Sequence, residues 1–491
     1  MSPHCNQHTV SLTGVASDLS ALRTHFLSVF VLRGRDAVCG SGRVICAGYA
    51  TVMSGPGQMS ISQRVPARAA GVVSPSKPRL WQTLGPGLIT GAADDDPSGI
   101  ATYAQAGTQF GFGMGWTLIL TYPLMVAIQA ICARIGRTTG LGIAGNLRKH
   151  YPGWVSQGIV ALLFGANVLN IGADLGAMAE SARLLIPVPV WLAVLLFGGV
   201  SAGGQVFLKH TRYVSVLKWL TLSLLAYFGT LATVRIPWSD LLRGLLWPHW
   251  SSSRDFWLMV VAILGTTISP YLFFWQAAQE VEDTKTQPLR EPLLQEPAQG
   301  RDALARIRTD TMVGMGFSNL VALAILVTSA VTLHAQGFKE VTTAAQAAQA
   351  LRPVAGTWAF VLFAVGVVGT GLLSVPVLAG SAAYALGEAR RWPVGLSKTP
   401  LHAKAFYASI IVATLLGALG NLLQINPIKA LVWAAVLNGV VAVPVMVLVM
   451  LLSARADIMG KFRISRRLKI TGWGATAVMA AASAVFLVSF L

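Results

Sequence analysis

Three consecutive carboxylates, Asp94, Asp95 and Asp96, stand in the middle of an apolar stretch and are followed at once by Pro97, Ser98 and Gly99. The surrounding segment, residues 80–106, is long enough to cross a bilayer, for which about 20 apolar residues suffice. Carboxylates at that depth are costly and face a partner, an ion or a water-filled cavity, so they mark a candidate cation site. Pro97 has no N–H, and Ser98 and Gly99 lack the bulk to restore regular winding. A broken helix is therefore expected, its unwound middle offering carboxylates and free backbone carbonyls to a cation. Asp96 is the first candidate ligand, directly or through water. Asp94 and Asp95 point about 100° apart on a helix, so the three cannot all face one ion. Each of those two either lines an entry path or is protonated or paired with a neighbouring helix.

The elements that must position these groups are membrane spans. Of 491 residues 54% are hydrophobic and only 11% charged, more apolar than a soluble chain of this size. From residue 80 onward the hydropathy pattern predicts eleven spans: 80–106, 114–133, 154–182, 188–207, 213–234, 256–279, 309–333, 356–387, 403–422, 427–453 and 470–491. The sixth is broken like the first, within residues 265–271, where Ser269 precedes Pro270. Five spans separate the two breaks, and five is odd, so the halves run in opposite directions through the membrane. That is the arithmetic of an inverted-topology repeat with its site at the midplane between broken helices.

The net charge of +18 does not point to nucleic acid, because the basic residues sit in short loops between spans. Most Lys and Arg after the first span fall on one side, as at Arg148, Lys149, Arg390, Arg391 and residues 463–469, which predicts the N-terminus inside and the C-terminus outside. Four cysteines without a CxxC pair, three in the N-terminal region and Cys132 in a span, argue against a disulfide framework or zinc site. Residues 1–79 read as a cytoplasmic, largely disordered tail, or in part as an over-extended gene start with Met53 or Met59 as candidate beginnings. The resulting division is residues 80–234 as the first five-helix repeat, 235–255 as an outer loop and 256–453 as the second repeat. Residues 284–302, rich in Pro, Gln and Glu, read as a flexible inner loop, and 454–491 as an inner loop and eleventh helix. Trp238, Trp247, Trp250 and Trp257 cluster as an interfacial aromatic belt does.

Gly85-Pro86-Gly87 and Asp96-Pro97-Ser98-Gly99, Tyr151-Pro152, Ala173-Asp174-Leu175 and Ile458-Met459-Gly460 together carry a family resemblance. The chain resembles the Nramp divalent-metal transporters, and more closely their Nramp-related magnesium transporter branch. The resemblance implies an all-α integral membrane protein with a LeuT-type inverted repeat, 5+5 helices with helices 1 and 6 broken, plus an eleventh helix. It implies a transported divalent cation, Mg²⁺ or Mn²⁺, with no resident cofactor, no nucleic acid and no obligatory protein partner, in the lipid bilayer of a bacterial inner membrane. Asp96, Gly99, Thr266 and Ser269 fall on the metal-binding positions of this pattern. Ser269 stands where ordinary members carry a methionine, and Gly99 where they carry an asparagine. A thioether favours soft ions, whereas a hydroxyl is a hard donor. Magnesium keeps several waters, so fewer ligands and more volume point to hydrated Mg²⁺. Thr266 is expected to contribute its backbone carbonyl at the negative end of its helix, and Ser269 its hydroxyl.

The resemblance also bears on coupling. Ordinary members carry a glutamate where Asn167 stands and a histidine where Tyr271 stands, both implicated in proton movement. Neither replacement titrates near neutral pH, so uptake driven by gradient and potential is expected, with proton-coupled Mn²⁺/Fe²⁺ symport as the alternative. Asn167, Asn170, Asp174, Tyr271 and Asn438 are candidate path-lining residues, together with Asp94 and Asp95. Gln276, Gln279, Glu280, Glu282 and Asp283 read as a solvated inner helix end. An organic-solute symporter of the LeuT type is disfavoured because three acids at the first break would repel a substrate carboxylate. An intramembrane enzyme is disfavoured because no HExxH, nucleophile elbow or second catalytic aspartate motif is found.

Overall fold

The structure, a computed structural model, describes residues 86–207, 225–287, 289–423 and 425–489. The expected tail, residues 80–85 of the first span and residues 213–224 of the fifth lie outside the described residues.

The first span is two helices, α1 (Pro86–Asp94) and α2 (Pro97–Phe110), separated at Asp95-Asp96. Pro97 occupies the first turn of α2, where its missing N–H costs nothing, and Asp96 caps that turn by accepting from the Gly99 amide. α3 (Gly115–Thr139), the short α4 (Ile143–His150), α5 (Gly153–Arg183) and α6 (Val190–Phe207) follow. α7 (Leu225–Thr233) is the described part of the fifth span.

The sixth span repeats the break, with α9 (Arg254–Thr267) ending before Ile268-Ser269 and α10 (Pro270–Thr286) starting on a proline. Then come α11 (Gly300–Thr332), α12 (Ala359–Arg390), α13 (Lys404–Gly420), α14 (Pro427–Ala454) and α15 (Arg466–Val488). Among the described residues there is no strand, and nine helical stretches are long and apolar enough to cross a membrane. Pro123, Pro376 and Pro444 sit inside long helices without ending them, as bundled membrane helices tolerate.

Packing brings the two breaks together. α11 lies along α1 and α2, α9 along α14, α10 along α3, and α5 against α12, α13 and α14. The α1–α11 contact is backbone to backbone: a Cβ on Gly91 would overlap the Gly314 carbonyl, and one on Gly87 would come within 2.8 Å of the Asp310 carbonyl carbon. The Gly87 amide donates to Asp310 Oδ2 at 2.7 Å, so the start of α1 is fixed to α11.

Three expectations need correction. The outer loop 235–255 contains a helix, α8 (Trp238–Leu246), whose Leu241 and Gly244 pack inward while Trp238 stays exposed. The inner loop 284–302 is shorter and anchored, since α10 runs to Thr286 and α11 starts at Gly300. The Leu293 and Leu294 amides donate to the Arg137 and Thr138 carbonyls at 3.1 and 3.2 Å. They thereby satisfy carbonyls that the end of α3 leaves without helical partners.

The inner end of α10 is also not solvated. Gln276 and Glu280 are buried, Glu280 pairs with Arg306 of α11, and Glu282 accepts from the Ser397 amide at 2.8 Å and Tyr384 at 3.3 Å. Charged groups at this depth need such partners. Glu180 and Arg183, three residues apart on α5, form an ion pair at 3.2 Å.

Candidate functional site

Asp96 divides its carboxylate between two tasks. Oδ1 accepts from Ser98 Oγ at 2.6 Å and from the Gly99 amide at 2.7 Å, which holds the side chain over the positive end of α2. Oδ2 is approached by the Tyr271 hydroxyl at 3.4 Å, which has a closer acceptor in the Ala93 carbonyl at 3.1 Å. Oδ2 is thus the oxygen left for an ion or a water. Tyr271, in the first turn of α10, ties the open carbonyl end of α1 to the other broken helix.

At the second break Ser269 Oγ donates back to the Gly265 and Thr266 carbonyls, at 2.7 and 2.9 Å. These are orphan acceptors at the end of α9. Its single hydrogen is committed there, so Ser269 can offer an ion its oxygen lone pairs but cannot donate to a water in the ion's shell. The Thr266 carbonyl is shared with this bond, and Thr266 Oγ1, buried and without a partner, is an additional donor atom that the sequence reading did not weigh.

Gly99 does not leave the room expected of it. A Cβ there would lie 3.1 Å from Thr266 Oγ1 and 3.3 Å from the Tyr103 ring, so the two breaks close on each other at this point.

Asp94 and Asp95 turn to α11. Ser318 Oγ contacts Asp94 Oδ2 at 2.7 Å and Asp95 Oδ1 at 3.1 Å, one hydroxyl hydrogen between two carboxylates, and Asp94 Oδ1 has no partner. Asp174 on α5 accepts from Ser374 of α12 at 2.8 Å and is within electrostatic range of Asp96. Asn170, one turn earlier, presents its buried side-chain amide to Asp96. Asn438 is buried with both amide atoms unpartnered, beside Gly439, which packs on Gly265 at the end of α9. Asn167 is held away, its Nδ2 donating to the Leu378 carbonyl at 2.9 Å and Ser381 Oγ at 2.8 Å.

The structure thus gathers Asp96, Gly99, Thr266, Ser269, Tyr271, Asn170 and Asp174, sets Asp94 and Asp95 beside them against α11, and leaves Asn167 outside. Sequence reasoning missed Ser318, Ser374 and Tyr103. A lone hydroxyl in an apolar helix carries no signal of what it faces.

Among the described residues no three His, Cys, Asp or Glu side chains converge on one point. What converges is oxygen of mixed kind, carboxylate, hydroxyl and carbonyl, with several buried atoms unpaired. Such oxygen atoms are the hard donors that cations take. Asp96, Thr266, Ser269 and Tyr271 are at most 1% exposed.

Comparison with known proteins agrees with this architecture. Solved structures of the Eremococcus coleocola manganese transporter superpose with a TM-score of 0.66, covering 84% of this chain and 88% of that one at 17% identity. A nucleobase-cation-symport-1 family transporter in a closed conformation superposes with a TM-score of 0.53 at 17% identity, covering 83% of this chain and 90% of its own. These likenesses show a LeuT-type helical fold. In sequence the chain is similar to the divalent metal cation transporter MntH of Ralstonia nicotianae, 27% identical over 432 residues, which are 85% of this chain and 93% of that protein. MntH of Deinococcus radiodurans is 24% identical over 431 residues, 85% of this chain and 92% of its own. The profile of the family described as natural resistance-associated macrophage protein-like matches residues 87–489, and the chain belongs to this Nramp family of integral membrane transporters.

Proposed function

We propose that the protein carries a divalent cation, hydrated Mg²⁺ in preference with Mn²⁺ also accepted, through the point where the α1/α2 and α9/α10 breaks meet, without obligatory proton coupling. The carrying observation is the donor set: residues 94–99 and 265–271 offer only oxygen, with no thioether or imidazole. Hard oxygen donors match Mg²⁺ and Mn²⁺, and the incomplete ligand set suits an ion that keeps water. The relatives' description as divalent metal cation transporters supports the substrate class. Asn167 and Tyr271 favour uncoupled transport, since neither exchanges a proton near neutral pH. The fixed bond of Asn167 to α12 gives it a packing role instead. The N-terminus lies in the cytoplasm and the C-terminus outside a bacterial inner membrane, following the bias of basic residues toward the loops at one end.

Asp96 Oδ2 takes the ion or a water of its shell, Ser269 and Thr266 add hydroxyl and carbonyl oxygen, and the negative end of α9 adds a favourable field. The test is Mg²⁺ uptake into liposomes carrying the full chain, with an internal pH dye, an inside-negative potential and Asp96→Ala alongside. Entry of Mg²⁺ without acidification, lost in the variant, is expected. Exclusion of Mg²⁺ with Mn²⁺ and protons entering together would make this an ordinary proton-coupled Nramp symporter. Movement of neither metal would overturn the metal assignment.

A further inference from the structure

Between α3, α11 and α15 lies a groove of about 620 Å³ that no transport step uses. Along most of its length it is apolar, lined by Val126, Ala127, Ala130, Ile307 and Leu468. Three arginines line it, Arg134, Arg308 and Arg467, one from each helix. Arg134 is half-buried and fixed by its Nε bond to the Phe462 carbonyl at 2.7 Å, while Arg308 and Arg467 are exposed. None of the groove's lining residues is acidic, and among the described residues none of the three arginines is in an ion pair.

Three arginines without an acidic partner along an apolar slot give that slot a chemistry complementary to an anion with an apolar tail. The slot's length gives the anion's identity. From Pro123 to Arg134 helix α3 rises ~16 Å, about half of a ~30 Å hydrocarbon core, which is the reach of an acyl chain in one leaflet. A second groove continues past Pro123 toward the opposite leaflet along α3 and α15. It is lined by Trp116, Trp250 and Trp257 and by no charged residue. The positive charge is therefore confined to one end of this flank.

We propose that the groove holds one anionic phospholipid of the leaflet at the Arg134 end, its acyl chain against α3 and its phosphate between Arg134, Arg308 and Arg467. Guanidinium forks suit phosphate oxygens, and basic pockets between membrane helices bind such head groups. The lipid braces α11, the helix that also carries Ser318 against Asp94 and Asp95. Tyr122, also in the groove wall, reaches the Met312 carbonyl of α11 at 3.3 Å.

The experiment is native mass spectrometry of the delipidated full chain titrated with phosphatidylglycerol or phosphatidylcholine, comparing wild type, the double variant R308Q/R467Q, and K404Q, an exposed basic residue far from the groove. One phosphatidylglycerol is expected to stay bound in preference to phosphatidylcholine, with affinity falling roughly thirtyfold in the double variant and unchanged in K404Q. Equal retention of both lipids, an equal loss in K404Q, or full affinity in the double variant would overturn the proposal. Inorganic phosphate displacing the lipid at millimolar level would reduce the site to a free-anion site and overturn it too. So would a two-chain mass in place of one chain plus lipid, since a second copy would then fill the groove.

Discussion

Ser269 has one hydrogen and gives it to the end of its own helix, so its contribution to a passing ion is set by lone pairs alone. Replacing it with methionine removes one hydrogen bond shared between the Gly265 and Thr266 carbonyls, worth about 1 kcal/mol, and sets a soft sulfur at the second break. Ser269→Met is therefore expected to raise the ratio of Mn²⁺ or Cd²⁺ to Mg²⁺ uptake in liposomes by an order of magnitude or so, with some loss of thermal stability. An unchanged ratio would mean that Ser269 does not set selectivity. Asp96 and Ser269 were legible because each stands directly before a proline in an apolar run. The tight approach of Gly99 to Thr266 was not, because sequence separation hides which residues of two breaks face each other. Nor was the shared hydroxyl of Ser318, since the residue sits on a helix whose local pattern is indistinguishable from ordinary packing.

At the level of helices, the hydropathy pattern placed most spans to within a few residues. It did so because crossing a bilayer imposes a length and a composition on each span separately. Loops carry no such imprint. The stretch after α10 was misread as flexible because what holds it, the Arg137 and Thr138 carbonyls, lies far away in the chain. The α1–α11 contact offers the clearest test at this scale. Gly91→Leu would drive a side chain into the Gly314 backbone, and overpacking of this kind costs about 1–3 kcal/mol or more. Its melting temperature in detergent is expected to fall by several degrees and its transport to be lost. Gly165→Leu, on an open face of α5 with nothing within 4 Å, should leave both unchanged. Equal behaviour of the two variants would show that the seam is not tight in solution.

Across the whole molecule the net charge of +18 and the two-charge cargo set the energetics. An uncoupled divalent ion gains ~4.6 kcal/mol from 100 mV, twice the value per unit charge. Raising the potential from about 50 to 100 mV should therefore increase the equilibrium accumulation of Mg²⁺ roughly fortyfold, and collapsing a pH gradient at constant potential should leave it unchanged. Accumulation that follows the pH gradient would instead require a proton in the cycle.

The glycine contacts described for α1 and α11 belong to a wider pattern that governs how such a cycle can run. Gly107 of α2 abuts the Leu326 carbonyl of α11, and Gly136 of α3 abuts the Ala277 carbonyl of α10. On the other side a Cβ on Gly172 of α5 would lie 2.8 Å from the Gly417 carbonyl oxygen of α13. Backbones meeting this closely cannot slide past one another without separating. The helices so joined behave as welded plates, α1, α2 and α11 in one, α3 and α10 in another, and α5 with α13 in a third. Asp96 rides on the first plate, Tyr271 on the second and Asp174 on the third. Under the proposed function a relative tilt of the plates would therefore change the distances among these three side chains, so that the bearing surface and the proposed binding site would be one and the same place.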